Sequence, residues 1–250
     1  MILFNTTNQA VLKVMLSEWE KVSYFVKKNE DKVDRYFRTL RPGATNYLIM
    51  HYTIPSSNNT YTIVSKPNYE GIINTWCYLK ADGDFGKRKI FVLRKNAPNK
   101  EDLVEKPAFI LDIYTGHFLS RYRERANATG SNIDELFVQF LQQNSRNGMA
   151  IPASLVNPKV TDENQYAVVS DEGLSFIDST ECTVNGMLIH INENKTFVSK
   201  DDLFYKQAAS VLSTDFFIKK AKLMKAQEEG ASAETFMKIM DSGFFEPVKK

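Results

Sequence analysis

Apolar residues recur every three or four positions from Leu12 through Met15, Trp19, Val22, Phe25 and Val26, the spacing that lines one side of a helix. Residues 8–40 therefore read as helix, in one piece or two, with "KKNED" as a break before Val33, Tyr36 and Phe37 and "RPG" at 41–43 as the stop. The period then shortens. Runs rich in Ile, Val, Thr, Tyr and Trp near 45–54, 60–65, 71–80 and 87–95 are separated by "PSSNN", "KPNYE" and "ADGDFG", which predicts strands joined by turns. A polar connection at 96–106 leads to one more strand, "PAFILDIY" at 107–114.

The helical period returns over 116–126 and again in "SNIDELFVQFLQQN", where Ser131 or Asn132 caps a helix that buries Ile133, Leu136, Phe137 and Phe140. Strands resume near 165–170, 174–178, 181–184, 187–191 and 195–198, and the Asn-Gly of "TVNGML" predicts a tight type I′ hairpin. Ser199, with Asp202 three residues on, caps an expected helix running past Phe216, Phe217 and Met224 to Gly230, followed by a short one near 233–241. This order predicts an α+β fold of antiparallel β-meanders with N-terminal, central and C-terminal helices. A single domain over 1–250 is expected, with "SRNGMAIPASLVNP", near 145–160, as either an interdomain joint or an ordinary loop.

Composition adds size and charge. A chain of 250 residues that is 43% hydrophobic can bury a large core. Its net charge of +2 makes no general case for nucleic acid or membrane binding, so that case rests on local charge. From Lys87 to Arg125 ten basic residues face five acidic ones, whereas residues 160–194 carry seven acids and no Lys or Arg. Such segregation fits either complementarity between two parts of the chain or a basic partner-binding face. Cys77 and Cys182 show no ligand spacing and read as buried thiols of a reducing compartment. The N-terminus lacks a signal-peptide pattern and no run matches a membrane span, so a cytoplasmic protein with no membrane association is expected.

The most pointed stretch is "TGHFLSRYRERAN" at 115–127. On a helix, His117, Ser120, Arg121, Glu124 and Arg125 share one arc while Phe118, Leu119 and Tyr122 share the other. Thr115 is placed to cap that helix, so His117 lies where free backbone N–H groups favour an anion, and Arg121 adds a planar fork for phosphate or carboxylate. An imidazole able to give and take a proton beside guanidinium groups is the equipment of metal-independent RNA cleavage, with His117 as acid or base and Arg121 and Arg125 as anion stabilisers. The alternative is a solvated face in which Arg121 pairs with Glu124.

"HFLSRYRERANATGSNIDELFVQFLQ", followed by the strands up to about residue 200, resembles the small ribonuclease-toxin modules of the BrnT and RelE type. The resemblance implies an RNA-cleaving module with His117, Arg121 and Arg125 in its site.

"GKRKIFVLRK" at 86–95 alternates basic and apolar residues. Lys87, Arg88, Lys89, Arg94 and Lys95 are therefore expected to hold a phosphate backbone, or else to guard an edge strand against aggregation. His51 and His190 sit in alternating strands and read as satisfied side chains rather than ligands. No phosphate loop, nucleophile elbow or paired-cysteine pattern occurs, so neither a metal nor a cofactor is expected. The aromatic C-terminal residues, ending in "GFFEPVKK", read as core or as a surface for a protein partner or self-association. Two functions follow: binding, with or without cleavage, of RNA or another phosphate-bearing ligand, and non-enzymatic assembly with other proteins.

Overall fold

The computed structural model describes residues 2, 5–40, 47–67, 73–81, 88–95, 107–144, 150–156, 160–170 and 172–199. Helix α1, Asn8–Lys28, starts where the Thr7 hydroxyl accepts from the Ala10 N–H, and buries Val11, Leu12, Met15 and Val22. Asn29 ends it, its side-chain amide donating to Phe25 O at 2.8 Å. Helix α2, Glu30–Arg38, opens with Glu30 and Asp31 and closes with Arg35 and Arg38, charges that complement the helix dipole.

Five strands follow as an antiparallel meander: β1 Leu48–Thr53, β2 Thr60–Pro67, β3 Ile73–Lys80, β4 Lys89–Lys95 and β5 Phe109–Thr115. Helices α3, Gly116–Arg125, and α4, Ile133–Gln143, come next. The chain continues through β6 Ala150–Pro152, the single turn α5 Ala153–Val156, β7 Gln165–Val169, β8 Gly173–Val184 and β9 Met187–Ser199. Asn132 caps α4 by accepting from the N–H groups of Asp134 and Glu135. Asn185 and Gly186, at φ 52° and 76°, make the turn between β8 and β9, both values being those a type I′ turn requires.

Among the described residues, the nine strands form one sheet in the order β1-β2-β3-β4-β5-β9-β8-β7-β6. This corrects the expected α+β fold of antiparallel meanders, because β9 lies parallel to β5, Phe109 beside Ile189 through Tyr114 beside Asn194. The physical reason is the crossing made by α3 and α4: the chain leaves the end of β5, passes over the sheet and re-enters it farther out, and its last hairpin then returns beside β5 in the same direction. The C-terminal helices of the expected fold, and with them the proposed self-association surface, fall on residues 200–250, outside the described residues.

The strands separate two cores. Tyr61, Leu79, Phe91, Leu93, Leu111, Ile113, Ile189 and Ile191 face α1, and Ile63 and Met50 join Val33 of α2. Val64, Tyr78, Ile90, Val92 and Phe197 face α3 and α4 on the other side. A bulge where Phe176 pairs with Thr196 and Ile177 with Asn194 makes Lys195 the extra residue of β9. It shifts the alternation by one, so Phe197 shares a face with Asn192 and Asn194. At the start of β8 the backbones close up: a Cβ on Gly173 would lie 2.1 Å from Val198 O, so this position admits no side chain.

Candidate functional site: a polar cavity over the parallel strand pair

The strand alternation that turns Leu111 and Ile113 toward α1 turns Asp112 and Tyr114 toward α4. On this second face Val92, Asp112, Asn192 and Ser179 stand side by side on β4, β5, β9 and β8. Arg94, two residues along β4, reaches diagonally to the row. Its Nε donates to Asp112 Oδ2 at 2.6 Å, the Asn192 amide donates to Asp112 Oδ1 at 3.0 Å, and the Ser179 hydroxyl lies 2.9 Å from Asn192 Oδ1. Asn194, also buried, donates to Ile113 O at 3.1 Å.

Above this row lies a cavity of about 240 Å³, bordered by Phe140 and Leu141 of α4 and its C-cap Asn144, by Ala150 and Val168, and by Ser170 and Ser175. Trp76, Val92, Arg94, Asp112 and Tyr114 line it from the sheet. Burial works against the Arg94 charge, but the Asp112 carboxylate outweighs it and holds the guanidinium above its ordinary range. Burial, and after it the Asp112 carboxylate, push the Tyr114 phenol well above its ordinary range, so it stays a neutral donor. Asn144 fixes the rim by donating to Glu172 Oε2 at 3.1 Å, the oxygen that also lies 2.8 Å from the Tyr122 hydroxyl. The result is a preorganised polar floor with aromatic walls, in which one carboxylate orients one guanidinium.

Of the residues expected to form a site, Arg94 lies in this cavity, while His117, Arg121 and Arg125 lie elsewhere and do not converge. Thr115 caps α3, its hydroxyl accepting from the Phe118 N–H at 3.1 Å, and His117 is exposed on the first turn. Arg121 pairs with Glu124 at 2.9 Å on an open surface. Arg125 turns inward and donates to Phe197 O at 2.6 Å, tying α3 to β9. None of these three lines a described cavity. Tyr122, Phe118 and Leu119 fill the core side of the helix.

The basic residues of β4 are divided too. Lys87 lies outside the described residues. The carbonyl of Arg88 accepts from Gly116 N at 2.8 Å. Lys89 reaches Asn8 of α1 and Glu193, at 3.4 and 4.0 Å, on the α1 face, while Arg94 is engaged on the α4 face and Lys95 is exposed at the strand end. β4 lies inside the sheet rather than at its edge. His51 lies 3.3 Å from Thr62 Oγ1, and His190 contacts Glu181 at 2.9 Å across the β8–β9 hairpin.

Asp112, Asn192 and Asn194 are the site residues that sequence reasoning missed. Their signals were present: one carboxylate inside the apolar run "FILDI", and two asparagines at alternate positions of "HINENK". Compared with known protein families, curated protein sequences and solved structures, the chain shows no match.

Proposed function

We propose that this chain is a binding protein, with its ligand seated in the Arg94 cavity, rather than a ribonuclease acting through His117. The observation that carries the reading is the row Arg94–Asp112–Asn192–Ser179, hydrogen-bonded end to end beneath a cavity of about 240 Å³. Both Asp112 oxygens are engaged, so the row orients a ligand and offers no free base. With Nε held by Asp112, the far end of the Arg94 fork suits a carboxylate, and Trp76, Tyr114 and Phe140 suit an apolar body attached to it. On the α3 surface the guanidinium of Arg121 is matched by Glu124 and that of Arg125 by a backbone carbonyl, which supports binding without cleavage. The two free cysteines accord with a reducing compartment, and we keep the cytoplasm as the place of action; among the described residues no helix is long and apolar enough to cross a membrane.

The test is ligand-observed NMR with benzoate, acetamide and methylphosphonate as separate probes. Benzoate is expected to give saturation transfer with the wild-type chain and to lose it in Ser175→Leu, which fills the cavity from β8, and in Arg94→Gln. Equal signals for all three probes in the wild-type and filled proteins would remove the reading.

A further inference from the structure

β3 and β4 are laddered at one end alone, Tyr78 with Val92, Leu79 with Phe91 and Lys80 with Ile90, with Ala81 N donating to Lys89 O at 3.0 Å just past β3. Both strands nevertheless run farther, β3 from Ile73 and β4 to Lys95. Continued register would set Cys77 against Leu93, Trp76 against Arg94 and Thr75 against Lys95; instead the strands part. Neither arm is frayed, since β3 is laddered to β2 out to Ile73 and β4 to β5 out to Lys95. The fork holds a cavity of about 380 Å³ between Asn74–Cys77 and Val92–Lys95, with Trp19 of α1 at one wall. Trp76, Val92 and Arg94 line this opening and the Arg94 cavity alike, so the two adjoin.

A strand within a sheet shares its peptide N–H and C=O groups with neighbours on both sides. Among the described residues, no strand covers Asn74–Cys77 or Leu93–Lys95 on the fork side. Among the described residues, the charged side chains lining the fork are Arg94 and Lys95, and the Asp112 carboxylate beside them is taken by Arg94. Exposed strand edges recognise another extended main chain. The charge asks for an acidic one, and Trp19, Trp76 and Leu93 ask for apolar side chains between its acids. A nucleic acid has no peptide groups to offer such edges.

Resting on the reading of the Arg94 cavity as a ligand site, we propose that the fork takes an extended acidic peptide segment of a partner protein. Its main chain adds to the edge Leu93–Lys95 and one of its carboxylates meets Arg94. The three missing pairs span about 10 Å, so roughly three peptide residues are laddered.

The test uses fluorescence polarisation on the full chain with labelled Val-Glu-Val-Glu-Val-Glu, the same peptide N-methylated at alternate backbone nitrogens, Val-Lys-Val-Lys-Val-Lys, and an adenylate RNA hexamer. The acidic peptide is expected to bind, to lose at least about tenfold on N-methylation, which alters the ligand and leaves protein folding untouched, and to lose a similar factor with Arg94→Gln. Benzoate is expected to compete with it. If benzoate binds while the acidic peptide does not, the peptide proposal falls and the cavity reading stands; if neither binds, both fall. Equal binding of the N-methylated or lysine peptide, or preferred binding of the RNA hexamer, also overturns the proposal.

Discussion

Arg94 and Arg121 each stand among other cations in the sequence, and the structure gives them opposite surroundings. Arg94 is 40% exposed and rests on an Asp112 side chain that is 10% exposed, which itself is held by Asn192 from a strand 80 residues away. Arg121 is 43% exposed and meets Glu124, 54% exposed and one helical turn on. Exposure of the two arginines is almost equal, so the difference lies in the partner. A carboxylate held from two strands keeps its arginine in one place beside a cavity, whereas an exposed surface glutamate pairs with its arginine in open water.

The contrast between the exposed arc of α3 and what lies beneath it predicts a descending series of effects. The largest belongs to Phe118, fully buried among Tyr114, Phe140 and Phe197; Phe118→Ala is expected to cost about 3–5 kcal/mol in urea unfolding. Asp112→Ala is expected to cost about 2–3 kcal/mol, less than a fully buried pair would, because water reaches the stranded Arg94. Should Asp112→Ala and Arg121→Ala prove equally mild, the distinction between the two arginines would dissolve.

Cys77, at the fork, supplies a pH effect of intermediate size. Burial pushes its thiol up to about 12. The unfolded chain releases this proton from about pH 8.5 while the folded chain keeps it, so the contribution is whole below that pH and declines as pH rises toward 12. The slope approaches about 1.4 kcal/mol per pH unit. Cys77→Ala should flatten the decline between pH 8.5 and 10, and an unchanged slope would mean that the fork lets water reach the thiol.

Smaller still, Thr115→Ala is expected to cost about 1 kcal/mol through loss of the α3 cap. Arg121→Ala should stay below about 0.5 kcal/mol and shrink further in high salt. A larger, salt-resistant loss at Arg121 would show that the solvated arc carries more than its ion pair.

How far the sequence could be read depended on the range of the interactions. The break at Asn29, the Thr115 and Asn132 caps and the Asn185-Gly186 turn involve groups a few residues apart, and the chain shows them directly. β8 and β9 were harder. Each reads as two short strands because Asp178–Glu181 and Asn192–Asn194 interrupt the apolar pattern, yet each is one long strand. Beyond Ser179, whose N–H still reaches Asn164 O at 2.8 Å, β8 pairs with β9 alone, so Thr180 and Glu181 meet water. The α3 motif was read correctly as an amphipathic helix, but which of its charges find partners depended on β9, whose carbonyl at Phe197 claims Arg125.

The amino-acid sequence alone therefore settled the helices α1 to α4, the Thr115 and Asn132 caps, the tight turn and the strands of the first meander, because each follows from torsional preference and hydrophobic period within one or two turns of chain; it did not show β6 and α5 inside the stretch read as a joint or loop. The pairing of β9 with β5, the meeting of Arg94, Asp112 and Asn192, and the parting of β3 from β4 were decided only in the tertiary structure. Each joins groups whose separation along the chain carries no record of which strand will close beside which, and that choice is made by burying both sheet faces at once.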